Sequence, residues 1–319
     1  MSPFIALTDD RWFDFLSTRA RDGVVDEVNF WQPKGLVPMK RMEPGEPVFF
    51  RGKRRRPYIV GYGFFARYAV IPVELAWETF GWKNGADAPT NFYRNIAGYR
   101  GHDVSAPEHV GRLLGCNLLR DARFWPETRW IPWGAAEGWK PNIQKGKVEN
   151  DATRASVLLR QVKLDAAAVP GDLAPRPVFR LLDLDERSRR ERRVADREGQ
   201  GLFRLSLLDA YGNACAVTGE HTEPVLDAAH IQDYLGPASN HVQNGLLLTK
   251  EWHALYDRGL VTVTPDYEVR VSQRIRDTWN NGHRYYGYDR RPLRLPENPA
   301  LHPSREALDW HATKWREAS

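Results

Sequence analysis

Three runs decide how this chain is read: Leu226-Asp227-Ala228-Ala229-His230-Ile231, Asn244-Gly245-Leu246-Leu247-Leu248-Thr249, and Glu251-Trp252-His253-Ala254-Leu255-Tyr256-Asp257-Arg258-Gly259. The first is short, apolar and flanked by polar residues, which predicts a strand from Pro224 to Ile231 with His230 near its end. Asn244-Gly245 is a turn signal ahead of a buried strand at Leu246–Leu248. Thr249 suits an N-cap, and Gly259 suits the end of a short helix. On that helix His253 and Asp257 stand one turn apart on one face, so both can reach one cation. Strand, loop, strand and helix are expected to gather His230, Asn244, His253 and Asp257 at one point, and that spacing suits metal-assisted hydrolysis of a phosphodiester. A hairpin from Val261 to Ser272, turning at Pro265-Asp266-Tyr267, is expected next.

Residue chemistry assigns roles. An imidazole with an ordinary pKa of about 6.5 takes a proton from water near neutrality, so His230 is the candidate general base. A divalent cation, Mg²⁺ or Mn²⁺, would neutralise the scissile phosphate and stabilise the departing oxygen. His253 and Asp257 are the expected ligands, with waters completing the shell. Asn244 is expected to tie down the loop beside His230. Asp227 stands as a further metal candidate or as a solvated strand residue, since alternation aims it away from His230.

This stretch resembles the HNH endonucleases, whose core is a two-strand, one-helix metal finger. His230 matches the first His of the signature, Asn244 the Asn and His253 the last His. Cys215-Ala216-Val217-Thr218-Gly219, Ala228-Ala229-His230-Ile231 and the His253–Gly259 run extend the match over about the last third of the chain. The resemblance implies products with 5′-phosphate and 3′-hydroxyl ends. Many relatives carry an Asp or His ligand immediately before the first His, where this chain has Ala229. Asp257 corresponds to a third ligand in some of them.

Composition agrees with two ordinary domains. The chain has 319 residues and a net charge of +5, compatible with a polyanionic partner. No run approaches the roughly 18–20 apolar residues of a membrane span, and the N-terminus has no signal-peptide pattern. Two cysteines, Cys116 and Cys215, cannot build a four-thiolate zinc site, so no structural zinc is expected and the fold must rest on packing. The expected compartment is the cytoplasm. Eight of the twelve tryptophans precede residue 150 and seven of the nine histidines follow residue 200, which divides the chain. Residues 1–150 read as one domain, 151–200 as a charged linker or helix with Arg187, Arg189, Arg190, Arg192, Arg193 and Arg197, and 201–319 as the second domain. An amphipathic helix from Gly201 to Tyr211 opens the second domain, and a helix from Pro303 to Trp315 closes it.

The first domain is expected to be a mixed, curved sheet with helices. Strands are predicted at Phe4–Leu7, Pro47–Arg51, Tyr58–Phe65 and Trp130–Pro132, with helices at Asp9–Ser17 and Pro72–Phe80. Glycines 61 and 63 mark a bulge or close approach, and Asn29-Phe30-Trp31 falls in a loop. The order resembles the PUA-like superfamily, with the EVE branch closest and the SRA readers related. It is carried by Val28–Pro33, Met42-Glu43-Pro44-Gly45-Glu46-Pro47-Val48-Phe49-Phe50 and Tyr58–Phe65. Such domains hold a flipped-out base in an aromatic pocket, which needs a stacking face and polar groups for the base edge. Asn29 and Trp31 are the first pocket candidates, followed by Trp12, Tyr62 and Trp125, with Trp130, Trp139 and Asn142 beside them. Arg54, Arg55 and Arg56 at a hairpin tip, and Arg204, are candidate contacts to the DNA backbone.

Together the two resemblances imply an α+β protein in which a PUA-superfamily (EVE/SRA-like), barrel-like reader precedes an HNH ββα-metal nuclease. That is the plan of modification-dependent (type IV-like) restriction endonucleases. The expected partner is double-stranded DNA carrying 5-methylcytosine or 5-hydroxymethylcytosine. One HNH site cuts one strand, so a double-strand break calls for a homodimer or two binding events. Two alternatives stay open: an HNH nuclease reading a backbone mark such as phosphorothioate, and a non-catalytic reader of modified nucleic acid.

Overall fold

The computed structural model describes residues 2–33, 42–53, 55–101, 112–167, 178–182 and 199–318. Arg54 and the arginine-rich run 187–197 lie outside the described residues. The chain forms two compact units, Met1–Leu173 and Ala174–Ser319.

In the first unit β1 (Phe4–Leu7) leads into α1 (Asp10–Arg19). The helix starts where the Asp9 carboxylate accepts the backbone N–H groups of Arg11 and Trp12, and it buries Trp12, Phe13 and Leu16. Then come β2 (Val24–Gln32), β3 (Pro47–Arg51), β4 (Tyr58–Pro72), α2 (Val73–Phe80), α3 (Pro89–Arg100), β5 (Leu113–Phe124), β6 (Ile131–Pro132), β7 (Gly146–Val148) and α4 (Ala152–Ala167). The strands make one mixed sheet in the order β2-β5-β4-β3-β1-β7, with β6 added on β4. Only the β1–β3 pair is parallel among the described strands of this sheet.

Two expectations change here. Asn29-Phe30-Trp31 is not a loop but the end of β2, paired with Leu118, Asn117 and Cys116 of β5. The strand expected to stop at Phe65 continues to Pro72, because register shifts at Tyr62/Phe64 and Phe65/Arg67 let it bend and keep its pairing with β5. Gly61 is required where β4 and β5 approach: a Cβ there would lie 2.0 Å from the Arg123 carbonyl oxygen.

Alternation splits the apolar side chains of the sheet between two cores. Phe30, Phe50 and Phe124 join Trp12, Phe13 and Leu16 on one face. Phe49, Tyr62, Trp125, Trp133 and Trp139 form the other, and Leu158 of α4 packs among them. Helix α4 thus belongs to the first unit, tied further by Asp165, which accepts Trp125 Nε1 at 3.1 Å and Arg129 at 2.8 Å.

The second unit contains α5 (Gln200–Ala210), β8 (Leu226–His230), β9 (Gly245–Thr249), α6 (Lys250–Asp257), β10 (Val261–Val263), β11 (Val269–Val271), α7 (Arg274–Trp279), α8 (His283–Tyr286) and α9 (Arg305–Ala318). β8 and β9 pair antiparallel, with Asp227 opposite Leu248 and His230 opposite Gly245. Thr249 stands at the N-cap of α6, but its hydroxyl makes no capping bond. Gly259, at φ +66°, ends that helix, and Tyr267, at φ +65°, turns the β10–β11 hairpin. No helix among the described residues is long and apolar enough to cross a membrane.

Candidate active site

The β8–β9 hairpin and α6 place the expected residues in two groups. His230 closes β8, where its ring lies flat on Phe203 of α5, 4.3 Å between centroids and 16° between planes. Its Nε2 is 3.0 Å from Asn240 Oδ1, and Tyr234 meets its edge at 5.7 Å. Asn244 is fully buried and pins the loop that leaves His230. Its Oδ1 accepts the Gln232 N–H, and its Nδ2 donates to the carbonyls of Gln232 and Ser239. α5 seats against this end of the hairpin because position 245 is glycine: a Cβ there would come within 2.7 Å of Leu207 and Phe203.

The second group is built on His253. Its Nδ1 is 2.7 Å from Asp227 Oδ2 and its Nε2 is 3.4 Å from Asp257 Oδ1. Burial opposes charge on the ring, but the bonds to Asp227 and Asp257 outweigh it and raise His253 to about 9. Asp227 answers in kind: burial pushes its carboxyl up, and the His253 bond more than offsets this, leaving it below the usual range. Its Oδ1 accepts the Ala228 N–H at 3.0 Å and lies 3.9 Å from Arg204.

The donor set, an imidazole between two carboxylates, fits a hard divalent cation such as Mg²⁺ or Mn²⁺. Among the described residues no three such side chains already converge on one spot, since the ring itself separates the two carboxylates. Nε2 and the half-exposed Asp257 form the outward pair that would hold the ion. Asp227, read from the sequence as a possible direct ligand, stands on the other ring nitrogen, where a carboxylate sets the tautomer and orientation of a metal-binding histidine. A cation taking Nε2 must displace a proton.

The expected residues thus fall into two hydrogen-bonded groups at the β8–β9 hairpin and α6. Asp227 and His230 are three apart on β8, so the strand turns them to opposite faces. Arg204, expected on the DNA backbone, is instead largely buried: it donates to the Leu226 carbonyl at 2.9 Å and lies 3.9 Å from both Asp227 and Glu223. Phe203 and Asn240 escaped the sequence reading, because neither carries a spacing signal and both reach His230 only through tertiary packing.

In the first unit a cavity of about 310 Å³ opens beside the ends of β1 and β2. Trp12, Phe30, Trp31 and Tyr99 line it, with Asp9 and Lys53. Two pocket candidates, Trp12 and Trp31, are thus brought together. The other three are core residues. Asn29 is fully buried and donates to Asn84 Oδ1 and Cys116 Sγ. Tyr62 is enclosed among Phe49, Phe64 and Trp125, and Trp125 is tied to Asp165. Asn29 lies inside the paired part of β2, opposite Leu118, rather than in a loop, and its amide is drawn into the core by Asn84 and Cys116. Arg56 pairs with Asp14 at 2.7 Å and covers the rings of Phe13 and Trp130, while Arg55 is exposed.

The sequence model of the HNH endonuclease family matches residues 215–264, which carry both strands, the loop and the helix of this site. Residues 215–264 are an HNH endonuclease domain. The HNH domain makes the chain a nuclease that hydrolyses phosphodiester bonds. Among solved structures the chain is similar to the modification-dependent TagI restriction endonuclease, at 14% identity, covering 91% of this chain and 75% of that one with a TM-score of 0.28. No curated protein matches it.

Proposed function

We propose that the protein is a modification-dependent DNA endonuclease, in which the first unit, a PUA/EVE-like reader, captures a modified cytosine and the HNH domain cuts the backbone. The observation that carries this reading is the aromatic cavity bounded by Trp12, Phe30, Trp31 and Tyr99. Its volume, about 310 Å³, falls at the small-ligand end of binding cavities and suits a single flipped base. Trp31 is held for such a role: its Nε1 donates to the Asn84 carbonyl at 2.9 Å, and Tyr99 meets it edge-on at 5.9 Å.

In the nuclease His230 serves as general base, with Phe203 and Asn240 setting the plane of its ring. His253 Nε2 and Asp257 would hold the divalent ion, which would supply charge neutralisation at the phosphate. Asp227 orients His253, and Arg204 and the Ala228 N–H hold Asp227. Asp227 shares a strand face with Ala229, two residues on, so a carboxylate stands on that side of β8 and acts through His253 rather than on the ion.

The test is Mg²⁺-dependent cutting of duplexes with and without 5-methylcytosine or 5-hydroxymethylcytosine. The modified duplex is expected to be cut preferentially. His230→Ala should lower the cleavage rate by about 10²–10⁴-fold while leaving DNA binding intact. Equal cutting of both duplexes rejects modification dependence, and retained cleavage in His230→Ala rejects the base assignment.

A further inference from the structure

The cavity beside Trp31 contains a polar group that the protein itself leaves unspent. Gln32, the last residue of β2, is 5% exposed and lines the cavity. Neither its Oε1 nor its Nε2 has a hydrogen-bond partner. Its cross-strand partner is Gly115, which offers no side chain to bond it. Buried amides are nearly always satisfied, so one with both donor and acceptor idle calls for a ligand or a structural cost. Asp9, Lys53 and Tyr99, the more exposed polar groups of the cavity, are already committed to each other. Lys53 Nζ is 2.6 Å from Asp9 Oδ2 and lies over the Tyr99 ring, and the Tyr99 hydroxyl also bonds Asp9. Gln144 and Lys145 are exposed at the rim.

We infer that Gln32 is the specificity-determining residue of the pocket, its carboxamide pairing with the edge of a flipped cytosine while the aromatic wall accommodates the substituent on C5. This rests on the base-reading function proposed above. The chemistry matches: a carboxamide presents one donor beside one acceptor, and cytosine presents the N3 acceptor beside the N4 amino donor. A group on C5 leaves that edge unaltered, so the amide recognises the base and the apolar wall recognises the mark. Such two-point pairing is how Asn and Gln read base edges elsewhere.

An idle buried amide also predicts how stability responds. Gln32→Met keeps length and approximate volume, loses no protein hydrogen bond, and removes a desolvated polar group. The full chain, kept in EDTA to prevent cutting, would be titrated by fluorescence anisotropy with duplexes carrying one 5-methylcytosine, one 5-hydroxymethylcytosine or only cytosine, beside a thermal unfolding scan. Gln32→Met should unfold at a temperature no lower than wild type. It should bind the modified duplex about 10–100-fold more weakly and the unmodified duplex as wild type does. If Gln32→Met keeps the wild-type preference while Trp31→Ala loses it, the assignment of Gln32 falls and base reading stands. A lower melting temperature with unchanged binding makes Gln32 structural and overturns the inference. A wild type that binds all three duplexes alike removes the reading function, and the role of Gln32 with it.

Discussion

His253 is held by carboxylates on both ring nitrogens, and their order decides what each does. Asp227 is a neighbour of the backbone: its Oδ1 is spent on the Ala228 N–H and faces Arg204, so its Oδ2 is aimed at His253 Nδ1 with little freedom. Asp257 sits on the next turn of α6 beside His253 Nε2 and is half-exposed, on the side where a cation would keep its waters. Asp227→Asn should therefore reduce cation affinity about 10–100-fold, the range for losing an orienting carboxylate. Mn²⁺ titration by calorimetry checks it, and an unchanged affinity places Asp227 outside the metal's support. His253 and Asp257 were legible in the sequence because i and i+4 spacing is set by helix geometry alone. The pairing of Asp227 with His253 was not, since it depends on how α6 lies across β8.

The helix α9 and the strand β10 are stitched to α6 by one buried imidazole. His311 Nε2 donates to the Tyr256 carbonyl at 3.0 Å, so its neutral form accepts the Thr262 hydroxyl at Nδ1, 2.9 Å away. The ring stacks on Tyr256 at 3.6 Å. Burial is the main cause that lowers its pKa, to about 4. A histidine depressed below its unfolded value of about 6.5 is neutral in the fold and charged in the unfolded chain between those values, so its contribution is present above pH 6.5 and is lost as pH falls toward 4. The loss should amount to about 3 kcal/mol. Urea unfolding of the wild type and of His311→Asn across pH 4–7 checks this: the wild-type curve should fall more steeply, and parallel curves would show that His311 does not titrate as described. The sequence marked the closing helix through its apolar spacing, but nothing in that spacing marks His311 as a link rather than a surface residue.

The proposed function divides capture of the target and cutting between two compact units. The cavity lies wholly within Met1–Leu173 and the HNH site wholly within Ala174–Ser319. Substitutions in the two should then act independently. Trp31→Ala is expected to weaken the preference for modified DNA without changing the single-turnover cleavage rate at saturating DNA. His230→Ala should do the reverse, and the double variant should show the product of both effects. Single-turnover assays over a DNA titration measure each part, and a strong departure from multiplicativity would mean that capture and cutting are coupled steps.

The HNH site could be recognised from one dimension because its parts are close in sequence and its spacings follow from helix rise and strand alternation. Strand positions in the first unit were partly legible for the same reason: β1 and β3 have their predicted bounds and β6 starts one residue later, since short apolar runs between turn residues have few other uses. What tertiary structure decided is which side chains are spent. Asn29 and Gln32 lie three apart on β2, both buried and both amides, and the sequence reading names only the first. Asn84 and Cys116 hold the Asn29 amino group in the core, away from the cavity, while opposite Gly115 both polar atoms of Gln32 stay without a partner at the cavity. Hydrogen-bond satisfaction depends on neighbours brought from far along the chain, so only the folded sheet could show which amide remains available.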